Sequence, residues 1–399
     1  MDSRTTIGQR LRELRLWREL SQKELGDLVG YSKSYVSMWE TGKRLLDRRS
    51  QIAALAAVLK VSESELTGGP HLSRDRQQSE PHAAIPAIRV AFATNALGSP
   101  AADRVRSLPE VLADVKGLET CHGAGDYIVL GGKLPGLLGE LYALASNPQV
   151  DSGTAARALA SVCAWAASMA HNLGYCDLAQ LASRAAIEAA KFTGDPVVVG
   201  QAEFERIGTA PRAWEHTLAM AERAANALEP HVRDALGIQV LGMLTLRAAL
   251  AGACVMRADI AEHWLGEAEK LAARVPDDPA RNWEWFGTTN VAVWRVALAV
   301  ERGESGGAVL ELAKGVNENK LVVPTRRSAL YADVGRGVAR EAALRDEAVV
   351  WLRKAEDAAP QQFRNHAAAR ETVINLRDKA IASAGRDLRG MAARMGIPH

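Results

Sequence analysis

Cysteine is scarce in this chain. Four residues among 399, Cys121, Cys163, Cys176 and Cys254, are widely spaced with no CxxC pair, so nothing points to a disulfide framework or a thiolate metal site. They read as reduced, mostly buried small residues. Aromatics are only 5% of the chain, with nine Trp against five Phe, and alanine is abundant. Such a composition suits closely packed helices better than sheets. A strong excess of one charge is also missing. The net charge is +2, so any nucleic-acid binding must come from a local patch. The N-terminus, MDSRTTIGQRLREL, has no apolar targeting core, and a cytoplasmic location is expected. The longest uncharged run, Ala158 to Cys176, is interrupted by Ser161, Ser168, His171, Asn172 and Gly174. It reads as a buried helix rather than a membrane span.

Catalytic signatures are missing as well. The chain has no GxxxxGK[ST], no GxGxxG after a strand and no HExxH, and its nine histidines are scattered. No catalytic residue, metal or cofactor is therefore expected, and the protein is read as not an enzyme. GAGDYIVLGGK (residues 123–133) is Gly-rich but lacks the strand-turn-helix setting of a phosphate loop. It reads as a flexible loop, with Tyr127 to Leu130 briefly strand-like.

The N-terminal segment carries the strongest positive signal. Ile7, Leu11, Leu14 and Leu16 form a helical stripe among Arg10, Arg12, Arg15 and Arg18. Ser21 and Glu24 have capping-box spacing, and Gly30 suits a left-handed stop after a helix burying Leu25, Leu28 and Val29. Ser32 caps a third helix, anchored by Tyr35, Val36 and Trp39, that leaves Lys33, Ser34, Ser37 and Met38 outward. Lys43, Arg44, Arg48 and Arg49 follow as a basic cluster. Ile52, Leu55, Ala56, Leu59, Val61 and Leu66 close the unit. This short helix, tight turn and second short helix would hold one helix rigidly in a major groove.

The pattern S-Q-x-E-L-x-x-x-x-G-x-S-x-S-x-V-S-x-W-E-x-G-K, from Ser21 to Lys43, resembles the Xre family of lambda-repressor-like helix-turn-helix domains. The resemblance implies that Gln22 hydrogen-bonds DNA backbone or a base edge. It implies that Lys33, Ser34, Ser37 and Met38 face bases, that Tyr35 and Lys43 reach phosphates with Arg44 beside them, and that Glu40 supports the turn. Met38 departs from the longer polar residue common there, and an apolar group reads only a thymine methyl. Residues 1–70 hold twelve Lys and Arg against nine Asp and Glu, an excess of three. One copy should bind weakly, so a homodimer on a palindromic operator is expected.

After residue 67 the composition changes to a Gly-, Pro-, Ser- and Gln-containing stretch, read as a flexible or partly extended linker over 68–84. Helical periodicity returns at Ile85 and continues to the C-terminus. Five phrases with Leu/Ala stripes recur, their alanines Ala179, Ala219, Ala261, Ala308 and Ala348 separated by 40, 42, 47 and 40 residues. That period predicts stacked helical hairpins with a concave inner face. The segment from His171 resembles a tetratricopeptide repeat. The whole order resembles Gram-positive quorum-sensing peptide receptors, and DRRSQIAALAAVLKVSESELTG, AAIPAIR, FGTTNV and RNHAAARETV carry a closer resemblance, over nearly the whole chain, to a large group of regulators from high-GC Gram-positive bacteria.

The expectation is an all-α protein: a five-helix DNA-binding head over 1–67, the linker, and an α-solenoid over 85–399 for dimerisation and effector binding. The segment NWEWFGTTNVAVWRV concentrates aromatic area. Trp285, Phe286, Asn290 and Trp294, with Arg326 and Tyr331 from the next hairpin, are the candidate effector site for a small molecule or peptide. Phe286, Asn290 and Trp294 would share a helix face. The function expected is transcription regulation with ligand sensing. The alternative is an adaptor whose repeat groove sequesters a partner protein.

Overall fold

The computed structural model describes residues 6–71, 76–101, 105–211, 213–278, 281–379 and 385–397. The first five residues of the expected head and residues 72–75 of the expected linker lie outside these ranges. Within them the chain is all-α, with an N-terminal helix-turn-helix unit and a long stack of helical hairpins.

Five helices make the head: α1 (Ile7–Trp17), α2 (Gln22–Val29), α3 (Lys33–Glu40), α4 (Arg49–Leu59) and α5 (Glu63–Thr67). Their starts are set by side chains that satisfy otherwise orphaned N–H groups. Thr6, Ser21 and Ser62 form capping boxes with Gln9, Glu24 and Glu65, and Ser32 accepts from Tyr35 N. Gly30 ends α2 at φ 77°, a left-handed position that costs other residues more. Leu11, Leu25, Val36, Trp39, Leu46 and Leu55 fill the core. Two expected core positions are on the surface: Leu16 is 55% and Leu28 is 60% exposed. The α1 stripe drifts off the core at its last turn, where Arg15 turns inward instead. Arg15 meets Glu40 at 2.6 and 3.0 Å in a buried pair.

Residues 76–82 of the expected linker are not extended. They form α6 (Arg76–Ser79) and a short 3-10 turn with Pro81 and His82 buried. His82 Nδ1 lies 3.1 Å from Tyr175 Oη, so this stretch is pinned to the body. α7 (Ile85–Thr94) follows.

The body then stacks in pairs. α8 (Leu108–Ala124) precedes α9 (Tyr127–Ala145), and α10 (Ser152–Asn172) pairs with α11 (Cys176–Phe192). α12 (Pro196–Thr209) precedes α13 (Trp214–Leu228), and α14 (Ala235–Cys254) pairs with α15 (Ala258–Ala272). α16 (Thr288–Arg302) precedes α17 (Gly306–Lys314), and α18 (Pro324–Ala339) pairs with α19 (Arg345–Ala358). α20 (Pro360–Asn365), α21 (Ala367–Asp378) and α22 (Gly385–Arg394) end the stack. The five repeated phrases are α11, α13, α15, α17 and α19, the second helix of each hairpin. Ala179, Ala261 and Ala348 are fully buried in them. Ala308 is exposed and Ala219 half-buried, whereas Ala221 and Val309 take the fully buried places. Spacing alone identified the helices, but in those two it missed the inward face by one or two residues.

The 123–133 segment is not a loop. Only Gly125 and Asp126 separate α8 from α9, and Tyr127 to Lys133 are helical. α9 and α14 are long and apolar enough to cross a membrane by length and composition, yet both are packed within the stack. The uncharged run from Ala158 is the buried body of α10, broken at Gly174.

The stack curves until its ends meet. Thr325 Oγ1 at the start of α18 donates to Gly123 O at 2.9 Å. Gln361 of α20 accepts from Ile128 N at 3.1 Å and donates to Asp126 Oδ1 at 3.3 Å. The expected concave groove is thereby turned into a central cavity, because contacts over 200 residues apart bridge its rim.

Candidate nucleic-acid interface and central cavity

On the outer face of α3, Lys33 and Ser34 are exposed, and Ser37 and Met38 are half-buried. Among the described residues, Lys33 and Ser34 stay open to solvent. Lys43 and Arg44 are exposed just beyond the helix, and the Arg44 guanidinium sits 4.2 Å from the Tyr35 ring centroid. Tyr35 in turn packs at 4.8 Å against both Tyr31 and Trp39, so its ring positions Arg44 as well as anchoring α3. Gln22 is half-buried, and its Nε2 donates to Glu40 Oε2 at 2.8 Å. Its second N–H and its carbonyl oxygen remain for another partner. Glu40 therefore gathers Arg15 and Gln22 and ties α1, α2 and α3 together.

The loop between α3 and α4 is clamped to the body by ion pairs that the sequence did not disclose. Glu301, near the end of α16 and wholly buried, accepts from Arg49 N at 2.8 Å and Arg49 Nη1 at 2.9 Å. Its carboxylate thus caps the first turn of α4, where the helix dipole favours an anion. Arg336 of α18, also wholly buried, reaches Glu301 at 3.2 Å, Asp333 at 2.7 Å and Asp47 O at 2.6 Å. Arg340 meets Asp47 Oδ2 at 3.0 Å. Burial by itself would raise the Glu301 pKa; Arg49, Arg336 and Arg340 overcome that and hold it at about 2. On the other side of the head, Glu371 of α21 accepts from Ile7 N at 3.0 Å, and Asn375 Nδ2 donates to Gly42 O at 2.6 Å. Two head helices, α1 and α4, therefore have N-termini capped by body carboxylates.

The central cavity has a volume of about 280 Å3. The first helices of the hairpins supply most of its lining, and Arg49 of the head borders it. Of the expected effector residues, Trp285, Trp294 and Arg326 border this space. Asn290 is 2% exposed and already engaged. Its Nδ2 donates to Glu284 O at 3.1 Å, and its Oδ1 accepts from Arg326 Nη2 at 2.8 Å. It positions its neighbours and does not face the main cavity.

Phe286 does not share the helix face with Asn290 and Trp294, because α16 begins only at Thr288. A 3-10 turn, Trp283–Trp285, precedes it, and Phe286 is fully buried against Gly242. Tyr331 points elsewhere: it donates to Glu318 Oε2 at 2.7 Å and packs against Trp351.

The residues missed by sequence reasoning are charged. Arg247 is the one charged residue of the twenty in α14, a lone cation in an apolar helix that was a readable signal. Its guanidinium lies 4.1 Å from the Phe204 ring centroid and 5.7 Å from that of Trp294. Arg326 approaches the same Trp294 ring, also at 5.7 Å. Burial pulls the Arg326 pKa down to about 10, and Arg247 contributes to that lowering. Glu205 is pushed up to about 7 by burial, against the pull of Arg247. His122 stacks between Trp165 and Trp285.

No curated protein matches the chain. Among solved structures, Bacillus thuringiensis PlcR in complex with the peptide PapR7 and DNA is similar at a TM-score of 0.27 and 12% identity, over 67% of this chain and 95% of that one. Residues 6–67, the five helices of the head, match the helix-turn-helix domain family.

Proposed function

We propose that the protein is a sequence-specific DNA-binding transcriptional regulator, acting in the cytoplasm as a homodimer on a palindromic operator. Residues 1–67 form its head, 68–84 the connection, and 85–399 a tetratricopeptide-like body for dimerisation and effector sensing. The observation carrying this reading is the solvent exposure of Lys33 and Ser34 on α3 in a helix-turn-helix unit. Lys33, Ser34, Ser37 and Met38 face base edges, while Gln22, Tyr35, Lys43 and Arg44 set the head on the backbone. With a local charge excess of only three, a single head binds weakly, so specificity depends on two heads at a fixed separation. The body controls that separation because it caps α1 and α4 directly. A ligand that alters the body then alters operator affinity.

Fluorescence anisotropy on fragments recovered by genome-wide mapping of bound sites tests the assignment. Lys33→Ala with Ser37→Ala should abolish discrimination between recovered and scrambled DNA, costing about 1–3 kcal/mol per lost base contact. Unchanged affinity and an unchanged salt slope in that variant would remove α3 as the reading helix.

A further inference from the structure

Two arginines lack full compensation in the central cavity. Among the described residues Arg247 forms no hydrogen bond or ion pair, and its Nε is fully enclosed without a partner. Arg326 reaches a neutral amide oxygen, that of Asn290. Both guanidiniums lie 5.7 Å from the centroid of the Trp294 ring. Arginine cannot shed its charge, so such a pair stays cationic whatever surrounds it. Facing them, Glu205 can relieve its own burial by taking a proton, and Glu284 lies 3.8 Å from His122. The site thus holds fixed positive charge beside adjustable negative charge.

Its walls are flat and aromatic. Trp214, Trp285, Trp294 and Phe204 line it, and the buried indole Nε1 of Trp294 has no acceptor among the described residues. The wall around Trp285 is held under strain. Glu284 and Trp285 adopt consecutive positive φ angles of 46° and 59°, which side-chain-bearing residues rarely accept. Asn290 stabilises that turn by binding the Glu284 carbonyl. The volume of about 280 Å3 is at the small end of ligand pockets and suits one or two fused rings.

We propose that this cavity is a binding site for a small aromatic carboxylate, whose anion is held between Arg247 and Arg326 and whose ring lies against Trp294 and Trp285. Such an anion removes the mutual repulsion of the two guanidiniums, and bidentate Arg–carboxylate pairing gives it orientation. Arg49 connects the site to the head: it borders the cavity while its backbone N–H and guanidinium bind Glu301. As an effector site this rests on the regulator reading above, whereas the binding step stands apart from it.

The test uses the full chain and three probes of matched shape: 2-naphthoate, 2-naphthamide and 2-naphthylmethylamine. Binding is followed by calorimetry and by quenching of tryptophan fluorescence. Naphthoate should bind, with the amide and the amine each weaker by about tenfold or more. Arg247→Met and Arg326→Met should each weaken naphthoate by about tenfold while melting cooperatively. Equal binding of acid and amide, preference for the amine, no naphthoate binding at millimolar concentration, or unchanged binding in both folded variants would each overturn the proposal. The probe series on the parent decides the question even if a variant fails to fold. Parent protein that binds naphthoate but no DNA would sink the regulator reading alone. DNA binding with no selectivity for the carboxylate would sink the cavity assignment alone.

Discussion

Replacing Glu301 by Gln should loosen the head from the body. The carboxylate is wholly buried and receives three hydrogen bonds from two arginines, one of them the N–H that opens α4. Its pKa stands at about 2 against an ordinary 4.5, a gap equivalent to about 3 kcal/mol in favour of the ionised form. Removing one partner of a buried ion pair costs a similar amount, about 3–5 kcal/mol, because the other charge is left uncompensated. Here Asp333 and Asp47 still surround Arg336, so the lower end applies and about 3 kcal/mol is expected. A depressed carboxylate pKa contributes stability that is present above pH 4.5 and lost as pH falls toward 2, and the Gln variant should lack that component. Hydrogen exchange at the Arg49 amide reads the event locally. Its protection should drop by roughly a hundredfold if α4 opens without global unfolding. An Arg49 amide exchanging at the parental rate, with unchanged unfolding free energy, would refute the clamp.

Glu371 behaves in the opposite sense: burial pushes its pKa up to about 7. A raised pKa means a contribution that is complete below pH 4.5 and lost as pH rises through about 7. Glu371→Gln should therefore be more stable than the parent at pH 8 by up to about 3 kcal/mol and closer to it at pH 5; parallel pH profiles would contradict this. Gly242→Ala should be destabilising by about 1–3 kcal/mol or more, since a Cβ there would lie 2.0 Å from the Phe286 ring. Denaturant unfolding measures it, and a neutral result would mean that Phe286 can retreat.

What the sequence determined by itself is local. Caps at Ser21 and Ser32, the left-handed Gly30, and the Leu25, Val36 and Trp39 core placed the head helices, because capping and short-range periodicity act within one or two turns. The hairpin period also emerged, since each second helix repeats its own apolar stripe. Tertiary structure decided the rest, beginning with Phe286. It leaves the expected helix face because the chain enters α16 through a strained turn held by Asn290. Closure of the stack joined α8 and α9 to α18 and α20 and converted a groove into a cavity. The union of Arg49, Asp47, Glu301 and Arg336 spans nearly 300 residues, and the approach of Arg247 and Arg326 to one indole spans almost eighty. The buried charges of the Arg49, Asp47, Glu301 and Arg336 cluster are individually unfavourable and become stable only beside their partners, so no local pattern along the chain could pair them, although Arg247 stood out as a lone cation in an apolar helix.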